Sequence, residues 1–133
     1  MGIIATDKKQ ITLIFDPSTK LGRECRAYAE SAQARIQTID VNKTKIADTE
    51  WADIADRLGM KVTDLIATDH PTFTTIYGEN VKLDEEHAFK ILDKNPQCIV
   101  YPIALRGDRA VRAKSFADIL DLIDPDTGEV PIP

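Results

Sequence analysis

Apolar and β-branched residues run together at Ile11-Thr12-Leu13-Ile14-Phe15 and stop at Asp16-Pro17, the pattern of a strand that ends in a turn. The period then changes. Leu21, Cys25, Tyr28, Ala29 and Ala32 recur at helical spacing, while Arg23, Glu24, Glu30 and Arg35 fall mostly off that stripe, so an amphipathic helix follows. Ile36-Gln37-Thr38-Ile39-Asp40-Val41 starts with alternation and reads as a second strand. One helix between two strands makes a βαβ unit with the strands parallel.

The middle of the chain is helical in short pieces. Trp51, Ile54, Ala55 and Leu58 form an i, i+3, i+4, i+7 stripe behind the capping candidates Asp48 and Thr49, with Gly59 as the stop. Thr63 caps a brief helix through Ile66, which His70-Pro71 closes. Asp84 opens another helix with Ala88, Ile91 and Leu92 inward, ended by Asn95-Pro96.

Cys98-Ile99-Val100-Tyr101 reads as a buried strand running into Pro102. Ile103–Arg106 and Arg109–Arg112 flank a Gly107-Asp108 turn, a hairpin signal that puts Arg106 and Arg112 on one face as a small basic patch. Ser115 and Asp118 resemble a capping box for a last helix with Phe116, Ile119, Leu120 and Ile123 inward. The order is βαβ, helices, ββα. This predicts an α/β, thioredoxin-like fold with a four-stranded mixed sheet and an inserted helical segment.

A chain of 133 residues, 43% apolar and 29% charged, suits one soluble domain with its own core. We expect a leader over 1–10, a single domain over 11–123 and a turn-rich tail over 124–133. No stretch has the length of a secretory signal or membrane span, so a cytoplasmic protein is expected, with no membrane partner. A net charge of −5 argues against direct nucleic-acid binding, which needs a positive footprint. Cys25 and Cys98 form no CxxC, and His70 and His87 add no clustered ligands, so no metal is expected.

Some residues carry a family likeness. Leu83-Asp84-Glu85-Glu86, Lys94-Asn95-Pro96-Gln97-Cys98-Ile99-Val100-Tyr101-Pro102-Ile103, and Val62-Thr63-Asp64-Leu65-Ile66 after Leu58-Gly59 together resemble the arsenate reductase/Spx-like family of thioredoxin folds, over roughly residues 10 to 123. The resemblance implies a cysteine nucleophile after an Asn-Pro-x or Ser-Pro-x turn, three oxyanion-binding arginines, and a cis-proline beside the reactive loop. Here Asp16-Pro17-Ser18 puts Thr19 at the nucleophile position, whereas anchoring on Cys25-Arg26 puts Gly22 there. Ala67, Tyr101 and Lys114 stand where the arginines are implied. Lys114 alone keeps a charge, and an ammonium lacks the planar fork of arginine.

Cys25 has two readings. Beside Lys20, Arg23 and Arg26 it is a candidate monothiol nucleophile if the helix starts near Gly22, because the first helical turn stabilises a thiolate. On an apolar stripe it is a small buried hydrophobe; this reading is preferred. Cys98 reads as packed, with a close approach to Cys25 left open. Thr19 and Ser18 are placed as N-cap residues rather than anion ligands. We therefore expect a binding or regulatory module that has lost standard arsenate reductase activity. Its groove would lie near Thr19, Gly22, Cys25, Tyr101, Pro102 and Lys114, and a cis Tyr101-Pro102 bond would present backbone to a peptide, a protein or glutathione. The alternative is a glutaredoxin-like thiol-disulfide oxidoreductase using Cys25, with glutathione as co-substrate and no other cofactor. A second alternative is an Spx-like transcription partner.

Overall fold

The computed structural model describes residues 10–31, 35–119 and 122. Strands β1 (Gln10–Phe15), β2 (Arg35–Asp40), β3 (Ile103–Arg106) and β4 (Arg109–Arg112) form one sheet in the order β2-β1-β3-β4. β1 and β2 are parallel, while β3 runs antiparallel to β1 and to β4. This is the mixed α/β sheet expected of a βαβ unit joined to a hairpin. Gly107, at φ 62°, supplies the left-handed residue that the β3–β4 turn requires.

The helices are α1 (Lys20–Glu30), α2 (Asp48–Leu58), α3 (Pro71–Tyr77) and α4 (Glu85–Lys94). Side-chain alternation on β1 divides the core. Ile11, Leu13 and Phe15 pack with Cys25 and Ala29 of α1, Ala104, Ala113, Ile119 and Leu122. Ile14 packs on the other face with Ile39, Trp51 and Ile54 of α2, Phe73 of α3, Ile91 and Leu92 of α4, Cys98, Ile103 and Leu105. Each face of the sheet is thereby covered. Thr12, fully buried between the apolar residues of β1, satisfies its hydroxyl on Gln37 Oε1 at 3.3 Å.

Several ends follow the sequence signals. Asp84 caps α4, accepting from the His87 amide at 2.8 Å. Gly59 closes α2 at φ 70°, with the amides of Met60 and Gly59 donating back to Ala55 and Asp56, the paired bonds of a Schellman ending. Other features differ. Ala47, not Asp48 or Thr49, stands at the start of α2, and its amide is taken by Glu50 Oε1. The segment expected to begin at Thr63 is a 3-10 helix over Val62–Leu65, its start held by Asp64 Oδ2 on the Lys61 amide.

Three further corrections concern the site's surroundings. His70-Pro71 opens a helix rather than closing one: His70 Nδ1 accepts from the Thr72 amide, and Pro71 sits in the first turn, where its missing N–H costs nothing. Pro96–Ile99 is a 3-10 helix, not a strand. A short apolar run does not distinguish the two by period, and Pro96 presets φ for a helical first turn. The segment expected to open the last helix is a 3-10 turn over Phe116–Ile119, with Leu122 helical beyond it and Phe116 exposed and edge-on to Tyr28 instead of inward. Ala32, Leu120, Ile123, the 1–9 part of the leader and the 124–133 tail lie outside the described residues.

Candidate functional site

Register brings the candidate residues to one end of the sheet. Ile14 pairs with Ile103, and Ile103 pairs with Arg112. The loop leaving β1, the residues entering β3 and the residues leaving β4 therefore share that end. Thr19, Pro102 with Tyr101, and Lys114 belong to those three segments.

The loop leaving β1 is rigidly bonded. Asp16, nearly buried, accepts through Oδ1 from the Ser18 amide (2.9 Å), the Ser18 hydroxyl (2.7 Å) and Asn42 Nδ2 (3.0 Å). This is an Asx turn with an added tie to the segment after β2. Thr19 is the N-cap of α1: its hydroxyl donates to the Asp16 carbonyl at 2.9 Å and accepts from the Gly22 amide at 3.0 Å. With both roles used, this hydroxyl serves the helix end.

Gly22 is required by contact. A Cβ built there would lie 2.2 Å from the Asp16 carbonyl oxygen and 2.8 Å from Thr19 Oγ1. No side chain fits at this position while the loop keeps its form. Position 22 therefore carries no functional side chain here, and Thr19 is the residue at the helix mouth.

Because α1 starts at Lys20, Cys25 stands in its second turn, beyond the unpaired amides that stabilise a thiolate. It is 0% exposed among Leu13, Phe15, Ala29 and Ile119. Burial, then the nearby charges of Glu24 and Asp118, push its thiol up to about 11. Lys20, Arg23 and Arg26 do not offset this. Arg23 donates to the Pro17 carbonyl, and Arg26 lies by Glu30 and over the Phe15 ring. Cys98 is also 0% exposed, and burial raises its thiol as well. The two cysteines occupy the cores on opposite faces of the sheet. The possible approach between them is not realised.

At Tyr101-Pro102 the cis expectation is not met: the described residues contain no cis peptide bond. The chain reverses one residue earlier. Val100 takes φ 60° and ψ −53°, and the Tyr101 amide turns back to the Ile99 carbonyl, a γ-turn of the rare positive-φ kind. The Pro102 carbonyl accepts from the Ala113 amide at 2.8 Å. The Tyr101 donor and Pro102 acceptor are thus used internally, leaving neither for an added strand.

The three positions where the resemblance implied arginines are placed as follows. Ala67 is buried, its amide donating to the Cys98 carbonyl at 3.0 Å. Tyr101 is half-buried, and Lys114 Nζ lies 5.9 Å from its ring centroid. Arg112, not singled out for this site, brings its guanidinium to 5.6 Å from the same ring and donates to the Asp64 carbonyl. Arg106 reaches the opposite way, to the Leu122 carbonyl, so the expected shared face of Arg106 and Arg112 does not form. Strand alternation separates them.

The product is an aromatic ring with two cations near it, at the end of the sheet where the capped start of α1 also lies. Cations over an aromatic face are mutually stabilising with it. Among the described residues no group of His, Cys, Asp and Glu could hold a metal ion, and no helix is long and apolar enough to cross a membrane. His70 and His87 both sit at helix starts, His70 accepting from the Thr72 amide and His87 lying against Asp84. The sequence signal for the loop was Asp16-Pro17-Ser18-Thr19 itself, an Asx-turn pattern; Asn42 carried none.

No protein-family model matches the sequence, and no curated protein matches it. Solved structures do match. An arsenate reductase from Vibrio cholerae gives a TM-score of 0.73 at 17% identity, covering 87% of this chain and 99% of its own. A candidate arsenate reductase from Yersinia pestis gives 0.73 at 19%, covering 84% and 98%. Another from Streptococcus mutans gives 0.60 at 15%, covering 82% and 96%. The chain has the thioredoxin-like fold of these arsenate reductases.

Proposed function

We propose that this chain is an arsenate-reductase-like thioredoxin-fold protein that acts as a binding or regulatory module and carries out no standard thiol-dependent reduction. One observation carries the reading: both of its cysteines are fully buried with their thiols raised. A thiol that stays protonated and out of solvent neither attacks an oxyanion nor exchanges with glutathione. This argues against the glutaredoxin-like alternative, which depends on Cys25.

The recognition surface we assign is the sheet end bearing Thr19, Tyr101, Arg112 and Lys114. Its chemistry favours an acidic peptide segment. Tyr101 offers a rigid aromatic contact, Lys114 is exposed beside it, and Lys20 and Arg23 are exposed on the first turn of α1. Contact here would run through side chains, since the Tyr101 amide and Pro102 carbonyl are already used.

The test is a titration of the protein with an extended Glu-rich decapeptide, followed by amide NMR shifts, alongside an arsenate turnover assay with glutathione. Shifts confined to residues 18–23 and 101–114 and lost in Lys114→Glu, with no turnover, are expected. Turnover that Cys25→Ser abolishes would overturn the reading.

A further inference from the structure

A second cavity shares none of these residues. It has a volume of about 300 Å³ and lies between the segment after β2 and the corner joining α4 to Pro96–Ile99. Lys43, Lys45 and Lys94 line it, with Asp93 as the only carboxylate among its lining residues. Three ammonium groups against one carboxylate leave two positive charges uncompensated. None of the three lysines is engaged in an ion pair among the described residues. A protein of net charge −5 has thus concentrated unpaired lysines around one concavity.

Trp51 lines the cavity and is 1% exposed, so it forms a closed part of the floor. Val41, Ile46 and Leu92 complete an apolar base. A cationic rim over an apolar floor, at the small end of the range of ligand pockets, selects a compact molecule with a doubly charged anionic head.

We propose that this cavity binds a small phosphomonoester, its dianionic phosphate held by Lys43, Lys45 and Lys94 and its carbon skeleton against Trp51 and Ile46. Lysine ammoniums suit phosphate as point charges that adapt to its oxygens. Trp51 is the single tryptophan of the chain, so its fluorescence reports on this site alone.

The experiment titrates the full chain with glycerol 3-phosphate, reading Trp51 fluorescence and calorimetric heat, with glycerol and with sodium chloride of equal ionic strength as controls. A saturable change with a dissociation constant below about 1 mM, absent with both controls and weakened at least tenfold in Lys43→Glu/Lys45→Glu, is expected. Both lysines are exposed, so the variant should fold, which its far-ultraviolet circular dichroism checks. The absence of heat and fluorescence change up to about 10 mM, or equal affinity in the folded variant, would overturn the proposal.

Discussion

Replacing Gly22 by alanine adds one methyl group 2.2 Å from the Asp16 carbonyl oxygen and 2.8 Å from Thr19 Oγ1. The carbonyl must retreat by about 1 Å to restore an ordinary contact. That carbonyl accepts from the Thr19 amide (3.2 Å) and hydroxyl (2.9 Å), and the same hydroxyl caps the Gly22 amide. Loosening two hydrogen bonds costs about 2 kcal/mol, and weakening the N-cap costs about 1 kcal/mol more. Alanine returns up to about 1 kcal/mol of helix propensity. The net expectation is a loss of about 2 kcal/mol, or roughly 8 °C in Tm for a chain of this length. Urea denaturation and calorimetry measure it. If Gly22→Ala were neutral or stabilising, as propensity alone predicts, the contact argument would be wrong, and so would the exclusion of position 22 as a nucleophile site.

Two further outcomes follow from the cysteines and the loop. The Cys25 thiol is raised from an ordinary value of 9.0 to about 11, so the unfolded chain releases this proton first as pH rises. The corresponding stability is intact below pH 9 and is lost progressively toward pH 11; denaturation midpoints measured across that range should fall less steeply in Cys25→Ala than in the parent. Thr19→Cys places a thiol at the positive end of α1, so iodoacetamide should modify position 19 at pH 7 while Cys25 and Cys98 stay inert. A variant thiol no more reactive than an ordinary cysteine would contradict the assignment of position 19 to the helix mouth.

Much of the sheet was legible because its signals are local. The apolar run over Ile11–Phe15, the Gly107-Asp108 turn and the Asp84 cap each state their own structure, and β1, the hairpin and α4 form close to where those residues place them. Cys98–Tyr101 was misread because its apolar run suits a strand and a packed 3-10 turn equally, and tertiary contact with Ala67 decided the matter. α3 was missed because Pro71 both ends helices and begins them. At the site, the sequence identified Thr19, Tyr101 and Lys114, but which helical turn holds Cys25 depended on one boundary residue. Arg112 on Tyr101 and Asn42 on Asp16 span 11 and 26 positions, beyond the reach of any local pattern.

The central claim is that neither cysteine is a working thiol in the folded protein. Thiol titration with a chromogenic disulfide at pH 7.5, first native and then in denaturant, tests it most directly. Burial of both side chains predicts that no thiol reacts in the native chain on the timescale of a free cysteine, and that two react on unfolding. One native thiol reacting as fast as free cysteine, traced to Cys25 by mass spectrometry, would contradict the account.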